Sequence, residues 1–187
     1  TWILTSTPAI MRLFYHVAGQ KVSLSILGWL ALVLPIGLVL LMNVEKVITS
    51  KVIMLTLFAV ITICIGVSLA PVMVIVKPFI IWEALGATFF SFTGFALFGF
   101  RTSKNLEGFG KFAAIGLYGL IGVGILNIFL HSSSLQLLSG FAGVIVFTIF
   151  TAYEFQQLSI ASNSEAEDEI LPILFAINFY LDIINLF

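Results

Sequence analysis

Seven apolar runs occupy most of this 187-residue chain, and only short polar connectors separate them. About 20 apolar residues are enough for a helix to cross a bilayer, and a helix satisfies its own backbone hydrogen bonds in lipid. The sequence therefore predicts an all-α, multi-pass membrane protein that forms a single polytopic transmembrane domain over residues 1–187. Approximate bounds of the runs are 2–15, 22–42, 52–76, 79–100, 112–130, 135–157 and 170–187.

The first run is too short to cross a bilayer, and it begins almost at Thr1. We interpret it as the second half of a first helix, and we expect both this helix and the C-terminal one to continue beyond the given sequence. The short connectors leave no room for a soluble domain and are typical of neighbouring antiparallel helices. They favour a bacterial cytoplasmic membrane as the location.

Composition argues against several functional classes. Charged residues make up 9% of the chain, whereas soluble domains carry about 25%. The net charge of −1 and the lack of a basic run argue against a nucleic-acid partner. A single cysteine, Cys64, and two histidines, His16 and His131, argue against a disulfide, a cysteine metal cluster or a three-histidine site. No nucleophile motif is present, so we predict neither an enzyme nor a resident cofactor.

A polar stripe crosses the last apolar run. Asn178, Asp182 and Asn185 stand at spacings i, i+4 and i+7, which places them on one face of a helix. Asp182 lies about 15–18 Å into the run at 1.5 Å per residue. A carboxylate in hydrocarbon costs a few kcal/mol even on the mildest scale. We therefore expect a partner inside the protein to receive Asp182, with the two asparagines in a supporting role.

Glu154, near the end of the sixth run, is the candidate partner. It could instead be an interfacial acid, but the sixth and seventh runs join on one side of the membrane, and their acids differ in depth by only about 4–5 Å. If the two carboxyl groups meet, they cannot comfortably both ionise and would share a proton. Losing that proton would push the helices apart and create an oxygen site of the kind that calcium prefers.

Several segments resemble motifs of the transmembrane Bax inhibitor motif family. Thr151-Ala-Tyr-Glu-Phe-Gln156 is similar to the family's T-A-Y-D-T-Q, and Tyr180-Leu-Asp-Ile-Ile-Asn-Leu-Phe187 is similar to its Y-L-D-F-I-N-L-F. Ser68–Pro71 resembles the family's L-S-P turn. Gly99–Gly110 resembles its Y-G-Y-T-T-K-R-D-L-S-x-x-G loop, and Leu126–Ser133 resembles its N-x-F-L-x-S-S motif.

The resemblance implies seven transmembrane helices, with the C-terminal helix central and six helices around it. It also implies a pH-dependent calcium leak, in which Glu154 and Asp182 form the pH sensor and gate. Calcium and protons would then be the partners besides the lipid bilayer, and the two acids would contact the calcium ion. The family has Asp where this chain has Glu154, so the resemblance leaves the closed-state geometry of the pair open.

Some relatives also carry an arginine near the end of the second helix that bonds the acid of the sixth. This chain reads Met42-Asn-Val-Glu-Lys-Val47 there, so Glu45 stands in its place and Lys46 is the nearest cation. We expect a weaker or rearranged latch.

Two other functions stay open at this point. A non-conducting regulator would bind a membrane AAA protease or another partner in the stress response, as some bacterial relatives do. An intramembrane hydrolase is disfavoured, because spacing pairs neither histidine with an acid.

Overall fold

The computed structural model describes residues 8–18, 21–42, 50–163 and 169–187, and they are almost entirely helical. One short antiparallel strand pair interrupts the helices near the N-terminus. In chain order the elements are α1 Pro8–Phe14, β1 Tyr15–Ala18, β2 Lys21–Leu24, α2 Ile26–Leu41, α3 Lys51–Ser68, α4 Ala70–Ile75, α5 Pro78–Arg101, α6 Glu107–Leu130, α7 Ser133–Ser162 and α8 Leu171–Leu186.

Four helical segments are long and apolar enough to cross a membrane within the described ranges. They are α3 and α4 taken together, α5, α6 and α7, whereas α2 and α8 are apolar but shorter. Large apolar side chains cover their outer faces, as expected of helices in contact with lipid. The helical composition and the four long apolar helices confirm the prediction of an all-α membrane protein. The predicted sixth and seventh runs correspond to α7 and α8.

The strand pair departs from the predicted helices. The sequence predicts helix up to Tyr15 and again from Val22, but β1 and β2 pair in register, with Tyr15 opposite Leu24. Tyrosine and valine favour extended backbone, and this conformation directs Tyr15 into a small core with Ala31 and Val67.

Contacts between residues divide the chain into two compact units. The first comprises residues 1–83 and 168–173, and in its described part α2 packs along α3. The second comprises residues 84–167 and 174–187, and in it α6 packs along α7. The single polytopic domain stays a prediction.

A proline break separates α3 from α4 in the first unit. Pro71 has no N–H, so the carbonyl of Val67 loses its usual helical donor. The hydroxyl of Tyr15 donates to that carbonyl at 2.7 Å. The hydroxyl of Ser68, the last residue of α3, lies 2.9 Å from the carbonyl oxygen of Cys64 in its own helix and 3.2 Å from that of Ala31 on α2. Its one proton serves these two acceptors in turn. The break is therefore hydrogen-bonded to two neighbouring elements.

We expect Tyr15→Phe to lower the melting temperature of the purified protein in detergent. The substitution removes the side-chain donor of the Val67 carbonyl, which corresponds to a loss of about 0.5–1.5 kcal/mol. Tyr118→Phe is the control, because Tyr118 is exposed on α6. Equal melting temperatures for Tyr15→Phe and Tyr118→Phe would contradict this role of the hydroxyl.

Candidate functional site

The segment Thr151–Gln156 of α7 is the centre of the second unit. Successive side chains of a helix point about 100° apart, so six consecutive residues face every direction around it. α7 is long, and its N-cap residue is Ser132, whose hydroxyl accepts the backbone N–H of Leu135. This segment contacts α5, α6, α8 and the connector between α5 and α6.

Asp182 of α8 is buried against α7. Its side chain is only 3% exposed. The hydroxyl of Thr151 donates to Asp182 Oδ2 at 2.9 Å and also lies 2.8 Å from the carbonyl oxygen of Phe147. A hydroxyl has one proton, so it serves these two acceptors in turn. The sequence correctly placed Asp182 on a buried face but missed Thr151, whose spacing of three residues from Glu154 was the available signal.

Glu154 lies on the same side of α7 as Thr151. Its Oε2 atom is buried and has no hydrogen-bond partner among the described residues. The carboxyl groups of Glu154 and Asp182 are close enough for their charges to interact. The structure thus places the two predicted acids within range of mutual repulsion, and Thr151 bonds Asp182 to α7.

The two asparagines of the predicted polar stripe are less buried than Asp182. Asn178 is half-buried on α8, and Asn185 is exposed and donates its amide N–H to the carbonyl of Leu181 in its own helix. The polar stripe is therefore buried at Asp182 and reaches the surface at Asn185. Glu45 and Lys46, the expected latch partners, lie outside the described residues.

Aromatic rings pack beside the acids. Phe155 of α7 and Phe179 of α8 stack with their ring centroids 4.1 Å apart. Phe92 of α5 meets both rings edge-on, at 5.6 and 6.3 Å. These rings exclude water, and a low local dielectric strengthens any interaction between charges.

Two glycines allow close helix approach at the same level. A Cβ atom at Gly99 of α5 would overlap the backbone carbonyl of Ala152, and one at Gly110 of α6 would lie 2.8 Å from the ring of Tyr153. α5 and α6 therefore contact α7 through glycine, as is common where helices associate in lipid.

Gln156 holds the connector between α5 and α6. Its side-chain amide donates to the carbonyl of Lys104 at 2.6 Å, and its Oε1 accepts the N–H of Leu106 at 2.9 Å. Leu106 is the N-cap residue of α6, where backbone N–H groups lack helical partners. From the sequence, Gln156 is only the last residue of a motif. Its role could not be predicted, because its partners are backbone atoms some 50 residues earlier in the chain.

Thr88 of α5 is the second buried group without a partner in the described part of the chain. Its Oγ1 atom is inaccessible to solvent and makes no hydrogen bond there. Other helical threonines, among them Thr148, donate to the carbonyl four residues earlier. The sequence gives no indication that Thr88 is special, because a single threonine in an apolar run does not reveal whether its hydroxyl is hydrogen-bonded.

A metal ion would find few clustered side-chain ligands in the described part of the chain. The residues that the structure describes contain no group of three or more His, Cys, Asp or Glu side chains. A calcium ion at Glu154 and Asp182 would need further oxygen ligands from hydroxyl groups, backbone carbonyls or water.

Comparison with known families agrees with the resemblance. The family model described as inhibitor of apoptosis-promoting Bax1 matches residues 1–187 of this chain. The chain belongs to the Bax inhibitor family. The prediction made from the motifs is therefore confirmed, although it was carried by segments of only a few residues each.

Bacterial relatives support the assignment to the Bax inhibitor family. An uncharacterized protein of Borreliella burgdorferi is 33% identical over 126 residues, which cover 65% of this chain and 54% of the relative. Uncharacterized protein RP147 of Rickettsia prowazekii is 40% identical over 100 residues, or 51% and 42% of the two chains. The chain spans about half the length of these two relatives.

Inner membrane protein YbhL of Escherichia coli is 29% identical over 191 residues, which cover 100% of this chain and 79% of the relative. Together with the four apolar helices, this match confirms the predicted location of this Bax inhibitor family member as a bacterial cytoplasmic membrane.

We expect Gly99→Ala to destabilise the protein, because the added methyl group overlaps backbone that cannot rotate away. Overpacking of this kind costs about 1–3 kcal/mol. Gly94→Ala on the same helix is the matched control, since its Cβ would meet no atom within 4 Å. Thermal unfolding in detergent measures both, and an unchanged melting temperature for Gly99→Ala would show that α5 and α7 do not approach closely here.

Gln156→Ala should release the connector that Gln156 holds. It removes both hydrogen bonds and leaves the Leu106 N–H without its partner, a loss of about 1–3 kcal/mol. We expect faster hydrogen exchange at the amides of residues 104–106, whereas Gln156→Glu, which keeps the acceptor for Leu106, should retain most of the protection. Gln157→Ala is the control, and equal exchange in Gln156→Ala and Gln157→Ala would contradict the assignment.

Proposed function

We propose that this protein is a pH-dependent calcium leak channel, gated by the carboxyl groups of Glu154 and Asp182. The observation that carries the proposal is the burial of Asp182 against α7, with the Glu154 carboxyl group near enough for the two charges to interact. Buried acids in a membrane span are expensive to keep and are therefore functional candidates. Membership of the Bax inhibitor family supports the same function.

The gate follows from the charge on the pair. With one proton between them, Glu154 and Asp182 carry a single negative charge beside the rings of Phe155 and Phe179. Loss of that proton sets two like charges against each other in a water-excluded environment, where repulsion is strong. The repulsion acts between α7 and α8, the two helices that Thr151 and the stacked rings hold together.

The chemistry of the pair suits the proposed ion. Two ionised carboxylates together with the hydroxyl of Thr151 present hard oxygen ligands, which calcium prefers over nitrogen or sulfur. Calcium is here the transported ion, and it would pass the pair when α7 and α8 separate.

The arrangement of seven spans, with α8 at the centre of six other helices, is part of the proposal. It is supported by the contacts of α8 with α7 and α5 in the second unit. The absence of enzymatic activity stays a prediction, and so does the alternative of a regulator that binds a membrane protease.

Calcium flux into liposomes tests the function directly. We expect wild-type protein to pass calcium at a rate that depends on pH. In Glu154→Gln and in Asp182→Asn the rates at two pH values should be about equal, because one carboxyl alone has no like charge to repel. Glu154→Asp, which restores the residue of the family motif, should keep the pH dependence.

Glu83→Gln serves as the control, because Glu83 is an exposed acid on α5. An absence of calcium flux at every pH would overturn the proposal, as would the same pH dependence in both neutralised variants. Capture of a membrane protease by the protein, undiminished in those variants, would then support the regulatory alternative.

A further inference from the structure

Thr88 carries a buried hydroxyl near the middle of α5, where an unpaired polar group is least favourable. The residue is 5% exposed, and its Oγ1 atom makes no hydrogen bond within the described part of the chain. An unpaired buried polar group destabilises a protein by about the free energy needed to remove it from water. A valine would fill the same space without that penalty.

The lack of a bond is not a general property of threonines in these helices. Thr56, Thr62, Thr148 and Thr151 each donate to the carbonyl four residues earlier, at 2.8 Å. This local bond is open to any helical threonine and would satisfy Thr88 as well. Among the described residues the Thr88 hydroxyl makes no such bond.

The buried face of α5 shows where Thr88 is directed. Thr88, Phe92, Ala96 and Gly99 stand at spacings of four, four and three residues, which is one side of a helix. Gly99 contacts the backbone of Ala152, and Phe92 contacts Phe155 and Phe179. Thr88 therefore lies on the face that α5 turns toward α7 and α8, the helices of the acid pair.

Glu154 Oε2 is the other buried side-chain oxygen without a partner in the described residues, and both belong to the second unit. Two buried oxygens without partners in one unit call for an explanation, and contact with water or an ion is one. Carboxylate and hydroxyl oxygens together are ligands for a hard divalent cation.

We propose that Thr88 lines the cation path through the bundle and supplies a hydroxyl ligand to the passing calcium ion. This inference rests on the proposed calcium leak and adds a residue on a third helix to the acids of α7 and α8. The hydroxyl is retained for ion passage, although the folded protein would be more stable without it.

Calcium flux and stability, measured on the same variants, separate this role from a structural one. Thr88→Val should melt at the same temperature as the wild type or higher, and it should pass calcium about tenfold more slowly, as expected for the loss of one ligand contact. Thr88→Ser should restore the flux. Wild-type flux in Thr88→Val would overturn the proposal.

Thr148→Val is the matched control. Thr148 is similarly buried, at 7% exposed, but its hydroxyl is bonded to the carbonyls of Val144 and Ile145. Its replacement should lower the melting temperature and leave the flux unchanged. An equal loss of flux in Thr148→Val and Thr88→Val would show that loss of any buried hydroxyl slows the channel, and would overturn the assignment to Thr88.

Thiol labelling tests the path without relying on calcium flux. Cys64 is the chain's single cysteine, so Thr88→Cys in a Cys64→Ala background presents one thiol. We expect a small cationic methanethiosulfonate reagent to modify it across a pH series, calcium to slow the reaction, and Thr148→Cys to stay protected. If Thr88→Cys is unreactive at every pH, the proposal is wrong. Calcium-sensitive labelling without any wild-type flux would overturn the leak function but support the path.

Discussion

The burial of one carboxyl group inside a lipid-embedded bundle is the constraint on which the second unit depends. Asp182 is removed from water almost completely, and a bilayer offers it no substitute for hydration. The protein supplies that substitute with the hydroxyl of Thr151, donated from the neighbouring helix. Because the donor sits on α7 and the acceptor on α8, the solvation of this acid requires the two helices to stay together. Any change in its charge therefore acts on their contact.

The residues around Asp182 hold α7 in a defined position. The glycine contact at Gly99 brings α5 close, the stacked rings of Phe155 and Phe179 fix α8, and Gln156 bonds the connector that leads into α6. Six consecutive residues of α7 thus contact each of its neighbours in this unit. Both acids therefore lie among closely packed helices, and such packed interiors have low compressibility.

Much of the fold and part of the site could be predicted from the sequence. Apolar runs identify membrane helices because lipid leaves the backbone no other choice, and the spacing of Asn178, Asp182 and Asn185 identifies a polar face. Three features could not be predicted in this way. The strand pair places the Tyr15 hydroxyl against the carbonyl of Val67, 52 residues later. The partners of Gln156 lie some 50 residues earlier in the chain, and the unpaired state of Thr88 depends on how its helix packs.

The sequence by itself determined the class of the protein, its family and the two acids of the candidate site. It could do so because hydrophobic length, helical periodicity and short motifs are local properties. Tertiary structure alone decided that Thr151 donates to Asp182, and that Thr88 is buried with no hydrogen-bond partner among the described residues. Both depend on the rotation and depth of one helix against another, which packing sets and no local pattern encodes.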